Sequence, residues 1–213
     1  MSPFPVILSA PSGGGKTTIA RMLLARRPDL GYSVSCTTRV PRPAEVAGRD
    51  YYFMSRAEFI DKRERGAFAE SAEVHGNLYG TLRREVERVL SGGQHVVMDI
   101  DVQGARQFQR AFPQSVLVFV LPPSADVLLE RLRKRQTETP AELAARLQSA
   151  LQELQAIDGY EYVVVNDDLE RAVQGVSAIV DAEVMKRERL RGLRHSVADL
   201  IDQLEKEIES QAS

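Results

Sequence analysis

The chain of 213 residues carries 28 lysines and arginines against 30 aspartates and glutamates, a formal net charge of −2, with 43% hydrophobic residues. That suits one sizeable core with appended lobes, and the near balance of charge excludes the molecule as a whole from trapping nucleic acid, so any anion must be held by local arginines. One cysteine, Cys36, excludes an internal disulfide, and without a signal-like start or an apolar run of membrane-spanning length the expectation is a cytoplasmic protein with no membrane partner.

The first element is a buried strand at Val6–Ser9, followed by Ala10-Pro11-Ser12-Gly13-Gly14-Gly15-Lys16-Thr17-Thr18. Small side chains let consecutive backbone N–H groups turn inward around an anion, and a helix beginning near Lys16 adds its positive end. A nucleoside triphosphate is the first ligand to consider. Lys16 would neutralise its outer phosphates, and the Thr17 hydroxyl would join the shell of a magnesium ion carried by them. The pattern G-x-x-x-x-G-K-[ST] usually opens on glycine, where this chain has Ala10. A methyl is tolerable there at negative φ and costly if the turn is left-handed. The helix, read from Ile19, Met22 and Leu23, stops around Arg27-Pro28.

Residues 32–92 form a long insert with Ser33 to Thr38, a turn-rich stretch from Pro41 to Gly48, Tyr51-Tyr52-Phe53 and a helix over Leu82–Leu90. Its length and polarity fit a substrate lobe better than a connector. Arg39 and Arg42 bracket Val40-Pro41, with Tyr51 and Tyr79 beyond. Two guanidinium forks and two phenolic donors suit a phosphate monoester.

The next strand, Gln94–Ile100, brings Asp99 and Asp101 to its carboxyl end, where carboxylates hold magnesium through water or orient a base. Alternation along a strand predicts that the two face one side. After a strand at Ser115–Leu121 come Pro122-Pro123, a helix from about Ser124 to Arg135, an interruption at Gln136–Pro140 and a second helix to about Ile157. Arg131, Arg133, Lys134, Arg135 and Arg146 make this unit a candidate cover over phosphates. A strand at Tyr160–Val165 follows. In the tail, Leu190, Leu193, Val197, Leu200, Leu204 and Ile208 give an amphipathic helix with Gly192 as its weak point. That face suits its own core or another subunit equally.

Across residues 4–183 the chain resembles the guanylate kinases. The matching stretches are Pro11-Ser12-Gly13 through Lys16-Thr17-Thr18, Ser33 to Arg42, Gly48-Arg49-Asp50-Tyr51-Tyr52-Phe53, Gly76-Asn77-Leu78-Tyr79-Gly80-Thr81, Asp99 to Gly104, and Asn166-Asp167-Asp168-Leu169. The resemblance implies an α/β P-loop kinase fold: a parallel core sheet flanked by helices, an inserted substrate-binding lobe and a helical lid. It divides the chain into a core of 4–31, 93–125 and 159–183, a GMP lobe of 32–92, a lid of 126–158 and a helical extension of 184–213. The implied activity is transfer of the γ-phosphoryl group of ATP to GMP and dGMP, with Mg2+ as cofactor and no nucleic acid or membrane involved. A homo-oligomer through the C-terminal helix is the one assembly considered.

By the family pattern, Arg39, Arg42, Tyr51 and Tyr79 fall where the acceptor phosphate is gripped, and Ser35, Glu70, Thr81 and Asp101 where guanine is contacted. A carboxylate at Glu70 accepts both N1–H and the exocyclic N2–H of guanine, a pair adenine lacks. Arg131, Arg135 and Arg146 fall in the lid, and with Lys16 and Arg39 they form the catalytic set. The loop from Ala10 to Thr18 and Asn166 would hold ATP, with Asn166 near adenine; Thr17 and Asp99 would hold magnesium, Asp99 through water. No dedicated base is implied, because a GMP phosphate oxygen is already anionic near neutral pH. Cys36 reads as a packed small side chain, and His75 as a surface residue.

Overall fold

A computed structural model describes residues 2–43, 45–74, 76–133 and 140–211, without the side chains of residues 140–142. Arg135, Lys134 and His75 lie outside the described residues.

The centre is a five-stranded sheet in the order β2-β7-β1-β8-β9, built from β1 (Pro5–Ser9), β2 (Leu30–Tyr32), β7 (His95–Asp99), β8 (Val116–Leu121) and β9 (Tyr162–Val165). Every pairing is parallel. Each residue of β1 is buried, as a parallel strand covered on both faces requires. Alternation sends its side chains to two different cores. Val6 and Leu8 join Val118 and Val120 under α1 (Lys16–Arg26) and α7 (Leu169–Val184), through Ile19, Leu23, Val173 and Val176. Ile7 and Leu117 join Met98, Val86 and Phe108 on the other face, under α3 (Arg83–Ser91) and α4 (Val102–Ala111). The strand β2 was not expected. Three residues of edge strand leave too short a pattern to read.

The insert forms a second sheet, ordered β4-β3-β6-β5, from β3 (Cys36–Thr37), β4 (Tyr52–Phe53), β5 (Phe68–Val74) and β6 (Asn77–Leu82), with α2 (Arg56–Glu64) alongside. Phe59, Phe68, Leu78, Leu82 and Cys36 make its own small core. Burial pushes the Cys36 thiol up to about 12, in keeping with a packed rather than a reactive side chain.

The helices α5 (Ala125–Arg133) and α6 (Pro140–Leu154), where the resemblance puts a lid, are joined by an apolar seam of Leu128, Leu132 and Ala150 with Leu147 and Leu154. Helix α5 ends its described course at Arg133, and α6 stops short of Ile157, where a single 3-10 turn begins. The terminal helix α8 (Leu193–Gln211) starts after Gly192, whose φ of 74° is left-handed. Leu190 is therefore not part of it; glycine sits at a break before the helix rather than weakening its interior.

Candidate active site

Parallel strands deliver their carboxyl ends to one edge of the sheet, and the site lies there. β1 runs directly into the phosphate loop. Gly13 and Gly15 have φ of 84° and 96°, which glycine adopts without steric cost. Gly14 N–H donates to the Pro11 carbonyl at 2.7 Å, closing the turn. A Cβ on Gly14 would meet the methyl of the fully buried Ala10 at 2.7 Å, so alanine in place of the leading glycine makes the smallness of Gly14 mandatory. Gly15 caps α1 with no side-chain acceptor, leaving the positive end of the helix, with Lys16, Thr17 and Thr18 in its first turn, facing the loop.

Asn166, 4% exposed, follows β9 and donates its side-chain amide to the Gly14 carbonyl at 2.8 Å. Its backbone carbonyl accepts from Arg131 Nη2 at 3.2 Å. Asn166 thus braces the loop backbone, a structural task distinct from the adenine contact the resemblance implies. Among the described residues Arg131 Nη1 is buried with no hydrogen-bond partner, a cationic donor turned inward from α5. Arg146, 7% exposed, reaches Ser12 Oγ from α6 at 3.2 Å.

Asp99 ends β7 and accepts from the Thr17 hydroxyl at 2.5 Å and from Tyr32 at 3.5 Å. Burial pushes the Tyr32 phenol above its ordinary range, with Asp99 adding to the effect. Asp101 does not share the strand: β7 stops at Asp99, and Asp101 caps α4, its Oδ1 accepting the N–H groups of Gln103 and Gly104, each at 2.8 Å. Strand alternation therefore fails as the reason for grouping the two aspartates. Helix capping competes for this carboxylate.

In the lobe, Arg39, Tyr51 and Tyr79 come together. The Arg39 guanidinium stands 5.6 Å from the centre of the Tyr51 ring, and the Tyr51 and Tyr79 rings meet edge-on at 6.1 Å. Arg39 donates to Glu45 at 2.6 Å and to the Val40 carbonyl at 2.8 Å. Arg42 differs: its side chain is exposed, and its backbone N–H donates to the other Glu45 oxygen at 2.8 Å. Deeper in, Glu70 is 5% exposed and accepts from Thr81 Oγ1 at 2.7 Å, with Ser35 Oγ 3.4 Å from the same hydroxyl. Burial raises the Glu70 carboxyl to about 7; the Thr81 hydroxyl opposes the rise and Asp101 adds to it.

Among the described residues, no three histidine, cysteine or acidic side chains gather as a metal cage. Magnesium instead favours one or two protein oxygens plus phosphates, and the paired Thr17 hydroxyl and Asp99 carboxylate are hard donors of that kind beside the loop.

Glu45, Glu153 and Tyr32 were missed in the sequence, and Gly104 was noted only within a matching stretch. Glu153 follows Arg146 by seven residues on α6, two turns along the same face, a spacing that could have found it. Glu45 stands three residues after Arg42, and its carboxylate joins both arginine positions. Tyr32 gave no comparable signal.

A parallel sheet with a phosphate loop at its switch from strand to helix, an inserted lobe and an arginine-bearing pair of helices defines a P-loop kinase fold. The Guanylate kinase family model matches residues 2–183. A guanylate kinase of Chelativorans sp. (strain BNC1) is 46% identical over 197 residues, covering 92% of this chain and 90% of that protein. One from Thermotoga maritima is 47% identical over 180 residues, covering 84% and 87%. The crystal structure of guanylate kinase from Anaplasma phagocytophilum superimposes with a TM-score of 0.75 at 37% identity, covering 91% of this chain and 93% of that one. The chain belongs to the guanylate kinase family.

Proposed function

We propose that the protein transfers the γ-phosphoryl group of ATP to GMP, giving ADP and GDP, and that dGMP serves as a second acceptor. The observation that carries this reading is Glu70: a buried carboxyl, oriented by Thr81, inside a lobe attached to a phosphate-loop core. Its ionised form offers two acceptor oxygens to the paired N–H groups of guanine, and adenine would leave them unmatched. Recognition in this reading runs through the phosphate and the base, which GMP and dGMP share.

Lys16 and the N–H groups of the loop hold the donor phosphates, while Arg39, Tyr51 and Tyr79 receive the acceptor phosphate, joined there by Arg42. Arg131 and Arg146, with Arg135, offset charge on the moving group. Magnesium, held by Thr17 and Asp99 together with the nucleotide phosphates, would supply further charge neutralisation. The acceptor oxygen carries its own negative charge, so alignment and exclusion of water suffice and no residue need remove a proton. Both nucleotides are intracellular metabolites, which fits a cytoplasmic setting; among the described residues no helix is long and apolar enough to cross a membrane.

A coupled assay with ATP, magnesium and a panel of nucleoside, deoxynucleoside and sugar monophosphates tests the proposal. GMP and dGMP should turn over, with AMP poorer by about 10⁴-fold in kcat/KM. Comparable turnover of AMP, or none of GMP by folded protein, overturns it.

A further inference from the structure

A carboxylate is out of place beside two arginines kept for a phosphate, because it repels the ligand that they attract. Glu45 nevertheless stands there. Its Oε1 accepts from Arg39 Nη2 at 2.6 Å, with both side chains 16% exposed. Its Oε2 accepts the backbone N–H of Arg42 at 2.8 Å, and the Arg42 carbonyl accepts the Glu45 N–H in return at 3.0 Å. One carboxylate therefore fixes the guanidinium of one arginine and the backbone that carries the other.

The remaining contacts of Arg39 hold it in the same orientation. Nη1 donates to the Val40 carbonyl at 2.8 Å, the backbone N–H donates to Thr37 Oγ1 at 3.1 Å, and the guanidinium faces the Tyr51 ring. An arginine gives up rotamer freedom when it takes a phosphate, and one already held has less to lose. A guanidinium has five N–H donors, so the bonds to Glu45 and Val40 leave others for a ligand. The Arg39 guanidinium, with the Arg42 N–H, holds the Glu45 carboxyl below its ordinary range, so it stays ionised at neutral pH.

We infer that Glu45 is a positioning residue for the acceptor phosphate: it sets Arg39 and the Arg42 backbone in place before the ligand arrives and stays on them when the phosphate binds. The inference rests on the part given to these arginines under the proposed function. Glu45 gives up charge attraction and gains geometry. Removing it strengthens phosphate binding if charge dominates and weakens it if orientation does, so the sign of the effect decides.

Steady-state kinetics of the full chain, with GMP varied at saturating ATP and with guanosine as a competitor of GMP, tests this. Glu45→Ala should raise KM for GMP by about tenfold. Glu45→Gln keeps one acceptor oxygen but not the charge and should raise it by less, about fivefold. KM for ATP, the thermal midpoint and the inhibition constant of guanosine should stay native, because guanosine carries the base without the phosphate. A lower KM for GMP in Glu45→Ala would mean that the carboxylate competes with the phosphate, and overturns the inference. An unchanged KM does the same, as does a loss shared with guanosine, which would mean a lobe disturbed as a whole. A native chain that does not turn over GMP fails the underlying reading and takes the inference with it; a native chain that does, with variants that match it, sinks the inference alone.

Discussion

Glu153 Oε2 accepts the backbone N–H of Ser12 at 2.9 Å, tying α6 to the phosphate loop. Two turns earlier on the same helix, Arg146 reaches the hydroxyl of that serine at 3.2 Å. Ser12 is thus gripped at its backbone and its side chain by one face of α6. Burial raises the Glu153 carboxyl, while the Ser12 N–H and the nearby Lys16 pull it back down. The contact fixes where α6 stands above the loop, and with it the placement of Arg146.

Replacing Glu153 with alanine should therefore loosen α6 over the phosphate loop. A charge-assisted hydrogen bond contributes about 1.5–3 kcal/mol, so kcat/KM for ATP should fall by about tenfold or more. Glu153→Gln keeps an acceptor for Ser12 but not the charge, so its loss should be smaller, about fivefold. Steady-state kinetics with ATP varied at saturating GMP separates these outcomes; equal losses in both variants would assign the effect to charge instead.

Glu70 predicts a pH dependence of stability with a definite sign. Its folded carboxyl titrates at about 7 against 4.5 for the ordinary group, so between those values the folded chain holds a proton that the unfolded chain has released. Its contribution is full below pH 4.5 and is lost as pH rises through 7, a change of roughly 3 kcal/mol. Urea unfolding of the native chain should show this decline, and Glu70→Gln should flatten it.

The same titration acts in the opposite direction on the acceptor. Ionised Glu70 is the form that would accept both guanine N–H groups in the proposed reading, so KM for GMP should fall as pH rises through about 7. The GMP phosphate titrates near pH 6, and the dependence remaining in Glu70→Gln measures that part. A pH profile identical in the two proteins would remove Glu70 from guanine recognition.

Gly104 is buried in the first turn of α4, and a Cβ there would come within 2.8 Å of Glu70 Oε2 and 3.6 Å of Asp101 Oδ1. Alanine favours the helix by about 1 kcal/mol over glycine, so Gly104→Ala should leave the thermal midpoint unchanged or higher. The displaced Glu70 carboxylate should nevertheless raise KM for GMP by about tenfold and leave KM for ATP unchanged. Loss of stability together with both KM values would mean that the methyl disturbs α4 itself.

Lys16 lies in the first turn of α1, at the mouth of the loop. Removing one preorganised charge from a phosphoryl-transfer site costs about 10²–10³ in kcat, and Lys16→Met should show that loss with its unfolding midpoint preserved. Turnover at the native level would strip Lys16 of its role.

Much of the site is legible in the chain because it is written in short stretches. The phosphate loop, the arginine pair at 39 and 42, and the aspartates at 99 and 101 each lie within a few consecutive residues, where spacing and side-chain chemistry carry the message. Legibility fails where a residue has two possible employers. Asp101 reads as a strand-end ligand, yet the N–H groups of α4 claim one of its oxygens. The resemblance puts Asn166 near adenine, and the structure adds a second task, its amide bracing Gly14 across 152 residues. Glu153 meets Ser12 across 141 residues; its spacing from Arg146 puts both on one helix face but does not say which loop residue that face meets.

The sequence by itself determined the parallel sheet, the phosphate cradle and the chemical kinds of group available for anions and guanine, because burial alternation and backbone turns are decided among near neighbours. Tertiary structure alone decided which groups share a partner: Glu70 with Thr81 and Gly104, Arg39 with Glu45 and the tyrosines, Ser12 with α6. Hydrogen bonds and desolvation act over a few ångströms of space whatever the separation along the chain, so those pairings exist only once strands and helices far apart in sequence have packed.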